Sequence, residues 1–225
     1  METIKKNKIY NVIILDKSGS MSSITKQAID GTNETLAAIR SSQLKDPTQD
    51  NYVTLVAFCG CELCTIFDNV PIAETRDITS KDYQPCCMTP LYDAVGRTIT
   101  KLHPIVAEDK TVAAVTIITD GYENASREYS GKDIKALIES YKNEGWMFAY
   151  IGTDHDVEAV AASISINNTI NFNKTPEGTR DMFAKESSSR GRWLNRISER
   201  IMCEYGSAEE RHEAFREASQ DYFDV

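Results

Sequence analysis

Residues 9–15, 112–119 and 146–151 are short, nearly unbroken runs of aliphatic, β-branched and aromatic side chains. A run of that length without polar alternation suits a strand covered on both faces, which is the situation of a parallel sheet flanked by helices. The stretches between the runs carry the helical period instead. Leu91, Ala94, Val95, Thr98, Ile99 and Leu102 lie on one stripe, with Pro90 expected at the first helical position. Ile134, Leu137, Ile138 and Tyr141 form a second stripe, opened by Ser130 and Asp133 at capping-box spacing. Val157, Val160, Ala161 and Ile164 mark a third, and Thr175-Pro176 opens a further helix. Residues 24–39 predict a helix with Gly31 inside it, a costly residue there, which points to a close helix–sheet approach. Residues 52–58 alternate in polarity, and residues 63–67 follow after a hairpin-length link, so 63–67 is expected as an antiparallel edge strand. Residues 169–172 read as a short last strand. Strands separated by helices imply right-handed crossovers and a mostly parallel sheet, whose ligands sit at the carboxyl ends of its strands.

The chain has 225 residues, enough for one large domain or a domain with an appended element. After residue 186 the character changes. Ser187-Ser188-Ser189 leads into Arg190, Arg192, Arg196 and Arg200, with Trp193, Ile197 and Ile201 on one helical face. Ser207 and Glu210 then have capping-box spacing before a last short helix. The expected division is a domain over 1–186 and a C-terminal helical extension over 187–225, packed on the domain. A net charge of -9 argues against nucleic acid or an anionic membrane as the main partner. No apolar run is long enough to span a membrane or form a signal-peptide core, so a cytoplasmic location is expected. In that setting the six cysteines are expected to be reduced thiols without zinc. Cys61-x-x-Cys64 has metal or redox spacing but no second such pair, and Cys86 or Cys87 would complete a shell only if their loops meet.

The segment that carries chemistry is Asp16-Lys17-Ser18-Gly19-Ser20, directly after the first apolar run. A carboxylate at a strand's carboxyl end, followed by two alternate hydroxyls, offers three oxygens to one point. Hard cations such as Mg²⁺ prefer oxygen donors. Thr89, just before the helix at Pro90, and Asp120, at the end of the run 112–119, lie in loops that a parallel sheet places on the same edge. Singly, each is an ordinary capping or turn residue. Asp93, one helical turn beyond Thr89, is either a support for metal-bound water or a helix-face charge.

Asp-x-Ser-x-Ser after the first strand, Thr-Pro-Leu-Tyr-Asp-Ala before a helix, and Thr-Asp-Gly after a central strand resemble the metal-ion-dependent adhesion site of von Willebrand factor type A domains. The resemblance covers roughly residues 7–173, and the whole chain is similar to the small stand-alone bacterial members. It implies a Rossmann-like, doubly wound α/β fold with a six-stranded sheet in the order 3-2-1-4-5-6, the short third strand antiparallel. It also implies that Asp16, Ser18, Ser20, Thr89 and Asp120 hold Mg²⁺ or Mn²⁺. The family's pattern often has small residues before the second-loop threonine, where this chain has Cys86-Cys87-Met88.

Three of those five ligands are neutral, so two carboxylates only just balance a 2+ ion, and the metal keeps affinity for an incoming Asp or Glu carboxylate. The expected function is therefore a non-enzymatic, metal-dependent module that holds a protein partner. Two alternatives stand beside it: a metal-dependent phosphoester hydrolase, and a scaffold subunit whose metal is structural. The hydrolase lacks support, because Ser18 occupies the position where aspartyl phosphatases carry a second acid. Of the three histidines only His155 falls near the expected edge.

Overall fold

The three unbroken apolar runs become three adjacent strands of a six-stranded sheet in a computed structural model that describes residues 6–107 and 111–224. The first five residues of the charged N-terminal segment, and the last residue of the expected extension, lie outside the described residues. The strands are β1 (Asn7–Asp16), β2 (Gln49–Cys59), β3 (Glu62–Pro71), β4 (Thr111–Thr119), β5 (Met147–Gly152) and β6 (Asn168–Asn171). Their order is β3-β2-β1-β4-β5-β6. Every pairing is parallel except β2 with β3, which form a hairpin turning at Gly60 and Cys61. Every residue of β4 and β5 is buried, as continuous apolar runs covered on both sides require. The edge strand β3 is mostly part-exposed.

Among the described residues six α-helices cover the sheet: α1 (Thr25–Lys45), α2 (Leu91–Val106), α3 (Gly131–Asn143), α4 (Val157–Ser163), α5 (Pro176–Met202) and α6 (Ala208–Ser219). Alternation along the strands divides the interior into two cores. Ile9, Ile13 and Leu15 of β1 pack with α1, α5 and α6. Tyr10, Val12 and Ile14 pack with α2, α3 and α4. Ser130 and Asp133 form the anticipated reciprocal cap of α3. Ser207 caps α6, but Glu210 returns its carboxylate to the Gly206 N–H instead of completing the box. Helix α2 starts at Leu91, with Pro90 in the cap position, one residue later than expected.

Two expectations need correction. A Cβ on Gly31 would lie 2.1 Å from Cγ of Phe183, so the close approach is between α1 and α5, not between α1 and the sheet. The division at 186/187 falls inside α5, which runs unbroken through it. Ser187 and Ser189 are buried, and Ser187 Oγ lies 3.2 Å from Thr35 Oγ1 on α1. These serines are the small face that lets two helices approach, and Trp193, Leu194, Ile197 and Ile201 belong to the same core as β1. The C-terminal segment is helical and packed as anticipated, but it is part of the domain's interior. Among the described residues no helix is long and apolar enough to cross a membrane.

The chain passes outward from β1 to β2 and β3, then returns to the other side of β1 as β4. At such a reversal the loops after the two central strands diverge and leave a crevice at their carboxyl ends. Asp16 ends β1, and Asp120 follows β4.

Candidate metal centre

Asp16 is fully buried, and its two oxygens are divided between two tasks. Oδ1 accepts the Ser18 backbone N–H at 2.6 Å, which folds the first loop back over the strand end. Oδ2 accepts the Thr119 hydroxyl at 2.6 Å, which ties β1 to β4. Burial raises the Asp16 carboxyl to a pKa of about 6, and the bonds from Thr119 and Ser18 only partly oppose it. Tyr83, buried beneath the loop, donates its hydroxyl to the Asp16 carbonyl at 2.6 Å.

From there a chain of oxygens runs outward. Ser18 Oγ lies 3.0 Å from Ser20 Oγ, and Ser20 donates to Asp120 Oδ1 at 2.6 Å. Ser18, Thr89 and Asp120 are buried, whereas Ser20 is exposed and marks the solvent side. Asp120 Oδ2 is buried and receives no hydrogen bond. Lys174 Nζ stands 2.7 Å away as its ion-pair partner. The same ammonium lies 3.5 Å from Asp154.

The three loops are locked to one another through their backbones. Gly19, between the two serines, donates its N–H to the Cys87 carbonyl at 3.0 Å, and Cys86 N–H donates to the Lys17 carbonyl at 2.8 Å. The Thr89 N–H donates to the Asn124 side chain at 2.8 Å, and Asn124 N–H returns to the Thr89 carbonyl at 3.1 Å. The first loop therefore holds the second, and the second holds the third. Asp93 is the acidic residue in the first turn of α2, as one of its two expected roles has it, and its carboxylate also accepts the backbone N–H groups of Arg127, Glu128 and Tyr129, each at 2.9 Å. It anchors the third loop.

A donor set of two buried carboxylates and three hydroxyls is all oxygen, as Mg²⁺ and Mn²⁺ require. Two buried carboxylates share one ammonium, and the burial of Asp16 is only partly offset by its hydrogen bonds, so a cation would complete the compensation. Asp16, Ser18, Ser20 and Asp120 have the chemistry such an ion takes, and Thr89 is buried in the second loop that is bonded to theirs. Thr119, Lys174, Tyr83 and Asn124 escaped the sequence reading. Only Thr119 had a signal, because it is the last residue of β4 and directly precedes Asp120. His155 sits at this edge but is occupied: Nδ1 lies 2.6 Å from the Thr153 carbonyl and Nε2 lies 3.1 Å from the Tyr150 hydroxyl.

The expectation of six free thiols is corrected at the rim of this centre. Cys61, at the hairpin turn, is disulfide-bonded to Cys87 in the second loop. Cys59, Cys64, Cys86 and Cys203 are free. The physical reason is that the β2–β3 turn lands on the second loop, where Gly60 N–H donates to the Met88 carbonyl at 2.7 Å.

No protein-family model matches the chain, and no curated protein does. Solved structures match it in fold. The vWF domain of the type V pili tip protein Mfa5 from Porphyromonas gingivalis superposes with a TM-score of 0.54, at 10% identity, over 90% of this chain and 99% of that one. The pilus adhesin SpaC from Lactobacillus rhamnosus GG gives 0.57 at 11% identity, over 85% of this chain and 31% of that one. Proximal thread matrix protein 1 from the mussel byssus gives 0.53 at 14% identity, over 83% of this chain and 46% of that one. The chain spans less than half the length of the latter two. The fold is von Willebrand factor type A-like.

Proposed function

We propose that this protein is a metal-dependent protein-binding module with the metal-ion-dependent adhesion site that its sequence resembles. Asp16, Ser18, Ser20, Thr89 and Asp120 hold Mg²⁺ or Mn²⁺, and the ion supplies Lewis-acid affinity for a carboxylate, an Asp or Glu side chain of a partner protein. The observation that carries this reading is the pairing of two buried carboxylates with a line of hydroxyls that ends at the exposed Ser20. A site enclosed on every side would suit a structural ion; this one leaves one side to solvent. Exposed Met88 and Tyr122, on the second and third loops, give the surrounding rim apolar contact area. The vWF domain and pilus adhesin among the structural neighbours support the reading through their fold.

Binding without turnover is part of the proposal. Ser18 and Ser20 are assigned as ligands, and His155 is held by Tyr150 and Thr153 away from a base's role. The test is affinity capture with wild type, with Thr89→Ala, and with wild type plus chelator. Thr89→Ala is expected to release the same partners as chelation while circular dichroism stays unchanged. Retention of those partners at equal levels in all three would favour the scaffold reading.

A further inference from the structure

The cysteines that the oxygen site does not use are gathered at one point beside it. Cys59 Sγ lies 3.2 Å from Cys86 Sγ, and the sulfurs of Cys59, Cys61 and Cys86 all lie within 4.8 Å of one another. Cys87 is joined to Cys61. Three sulfurs thus lie together and a fourth, Cys87, is tied to one of them, from two separate segments, Cys59-Gly60-Cys61 at the hairpin turn and Cys86-Cys87 in the second loop. We propose that, in the reduced protein, Cys59, Cys61, Cys86 and Cys87 bind one thiophilic divalent cation of the zinc class, at a site separate from the oxygen centre.

The convergence does not depend on any bond between the sulfurs. Gly60 N–H donates to the Met88 carbonyl at 2.7 Å, and Gly19 N–H donates to the Cys87 carbonyl at 3.0 Å. Cys86 N–H donates to the Lys17 carbonyl and Lys17 N–H donates to the Phe58 carbonyl, both at 2.8 Å. A Cβ on Gly60 would sit 3.2 Å from the Met88 nitrogen, so hairpin and loop are already in close contact. Four thiolates around tetrahedral zinc at about 2.3 Å stand roughly 3.8 Å apart, and Cys59, Cys61 and Cys86 already lie within 4.8 Å of one another. Packing alone does not explain the arrangement. Cys59 is buried, but Cys61 and Cys87 are exposed and gain little as small apolar residues. Their exposure gives the ion a way in.

The surroundings suit an anionic complex. Four thiolates on a 2+ ion leave two negative charges. The Lys17 side chain is almost wholly buried here, and Glu62 is its ion-pair partner. Burial disfavours its charge, yet the pairing with Glu62 and the nearby Cys59 and Cys64 thiols leave the ammonium more firmly protonated than usual. Donor type separates the two centres: sulfur selects zinc-class ions, whereas hydroxyl and carboxylate oxygens select Mg²⁺ or Mn²⁺. The spacing that attracts the eye in the sequence, Cys61-x-x-Cys64, is not the one used, since Cys64 is neither among the three gathered sulfurs nor bonded to one of them, as Cys87 is.

Loading is balanced in two steps. A phosphine reductant gives the Cys61–Cys87 disulfide two electrons, water supplies two protons and an oxygen, and the products are two thiols and a phosphine oxide. Zn²⁺ then displaces four protons from four thiols as four Zn–S bonds form.

The test uses the full chain, reduced with a phosphine and desalted without oxygen, then titrated with Zn²⁺ and, separately, Co²⁺. Wild type is expected to hold one zinc per chain and to give cobalt the strong visible bands and sulfur charge-transfer absorption of a tetrahedral thiolate site. Cys59→Ser and Cys86→Ser are each expected to lose at least about 100-fold in zinc affinity, since loss of mere supporting residues already costs 10–100-fold. Cys64→Ser and Cys203→Ser are expected to bind as wild type does, and so is Asp16→Ala, which removes the oxygen centre but not this one. Reduced wild type that retains no zinc, or cobalt that shows no sulfur charge transfer, overturns the proposal even if the serine variants fail to fold. Zinc lost with Asp16→Ala and kept in both serine variants overturns it as well, by assigning the ion to the oxygen centre.

Discussion

On the α5 side of the sheet, Arg190 and Glu186 are buried together; at the carboxyl edge, Asp16 and Asp120 are buried with the same sign of charge. The first pair is closed within the protein. Arg190 reaches Glu186 Oε1 at 2.8 Å, Thr116 Oγ1 at 2.6 Å and Asn11 Oδ1 at 3.1 Å. Thr116 and Tyr222 donate to the same Glu186 oxygen at 3.1 and 3.2 Å. Charge cancels, and only Glu186 Oε2 lacks a hydrogen bond in that pair. At the carboxyl edge the compensation is unfinished. Hydroxyls and N–H groups support Asp16, and one ammonium, on a side chain from the loop after β6, pairs with Asp120 and is shared with Asp154, so two buried carboxylates face a single positive charge. Buried charge that is self-sufficient specifies a structure, whereas buried charge left short is a place for something to bind.

The largest expected effect lies in the closed pair. Arg190→Ala leaves Glu186 buried and unpaired, and should cost about 3–5 kcal/mol in urea unfolding. The comparison breaks if that loss is no larger than the change caused by Asp16→Ala in metal-free protein. There, relief of a carboxylate that burial disfavours offsets part of the loss of its bonds to Ser18 and Thr119, so the net cost should be smaller.

A middle effect is expected where the third loop is anchored. Asp93→Ala strands three backbone N–H groups, a cost of about 1–3 kcal/mol, and should also weaken Mn²⁺ binding by about tenfold through the loosened Asp120 loop. An unfolding loss with unchanged Mn²⁺ affinity would show that Asp93 serves the fold alone.

The strands and the edge hairpin were legible because each depends on local pattern: unbroken runs for β4 and β5, a short link for β2 to β3; the strand order came from the family resemblance. The candidate ligands were legible for the same reason, since Asp16 and Asp120 follow directly on strands and Thr89 precedes a helix. What the sequence concealed depends on meetings between distant segments. Gly31 meets Phe183, Glu186 and Arg190 meet Asn11 and Thr116, and the Cys59–Cys61 turn meets Cys86-Cys87. Ser187 to Ser189 read as a change of domain because small polar residues mark both linkers and close helix contacts, and composition does not separate the two.

The smallest expected effect sharpens the open centre. Lys174 supplies part of the positive charge beside Asp120 from within the chain, so it competes with a cation there. Lys174→Met should tighten Mn²⁺ binding by about 3–10-fold, on the order of 1 kcal/mol for a partly exposed pair. Weaker binding in this variant would mean that the ammonium helps to hold the site in shape.

The central claim is that the carboxyl edge is short of a divalent cation. Thermal unfolding of reduced wild type and Asp16→Ala, each with chelator and with saturating Mg²⁺ or Mn²⁺, tests it most directly. An ion that binds only the folded state at about 100 times its Kd adds about 2.7 kcal/mol. The account predicts that Tm rises by several degrees in wild type and stays unchanged in Asp16→Ala. Equal metal responses in the two proteins, or none in either, would contradict it.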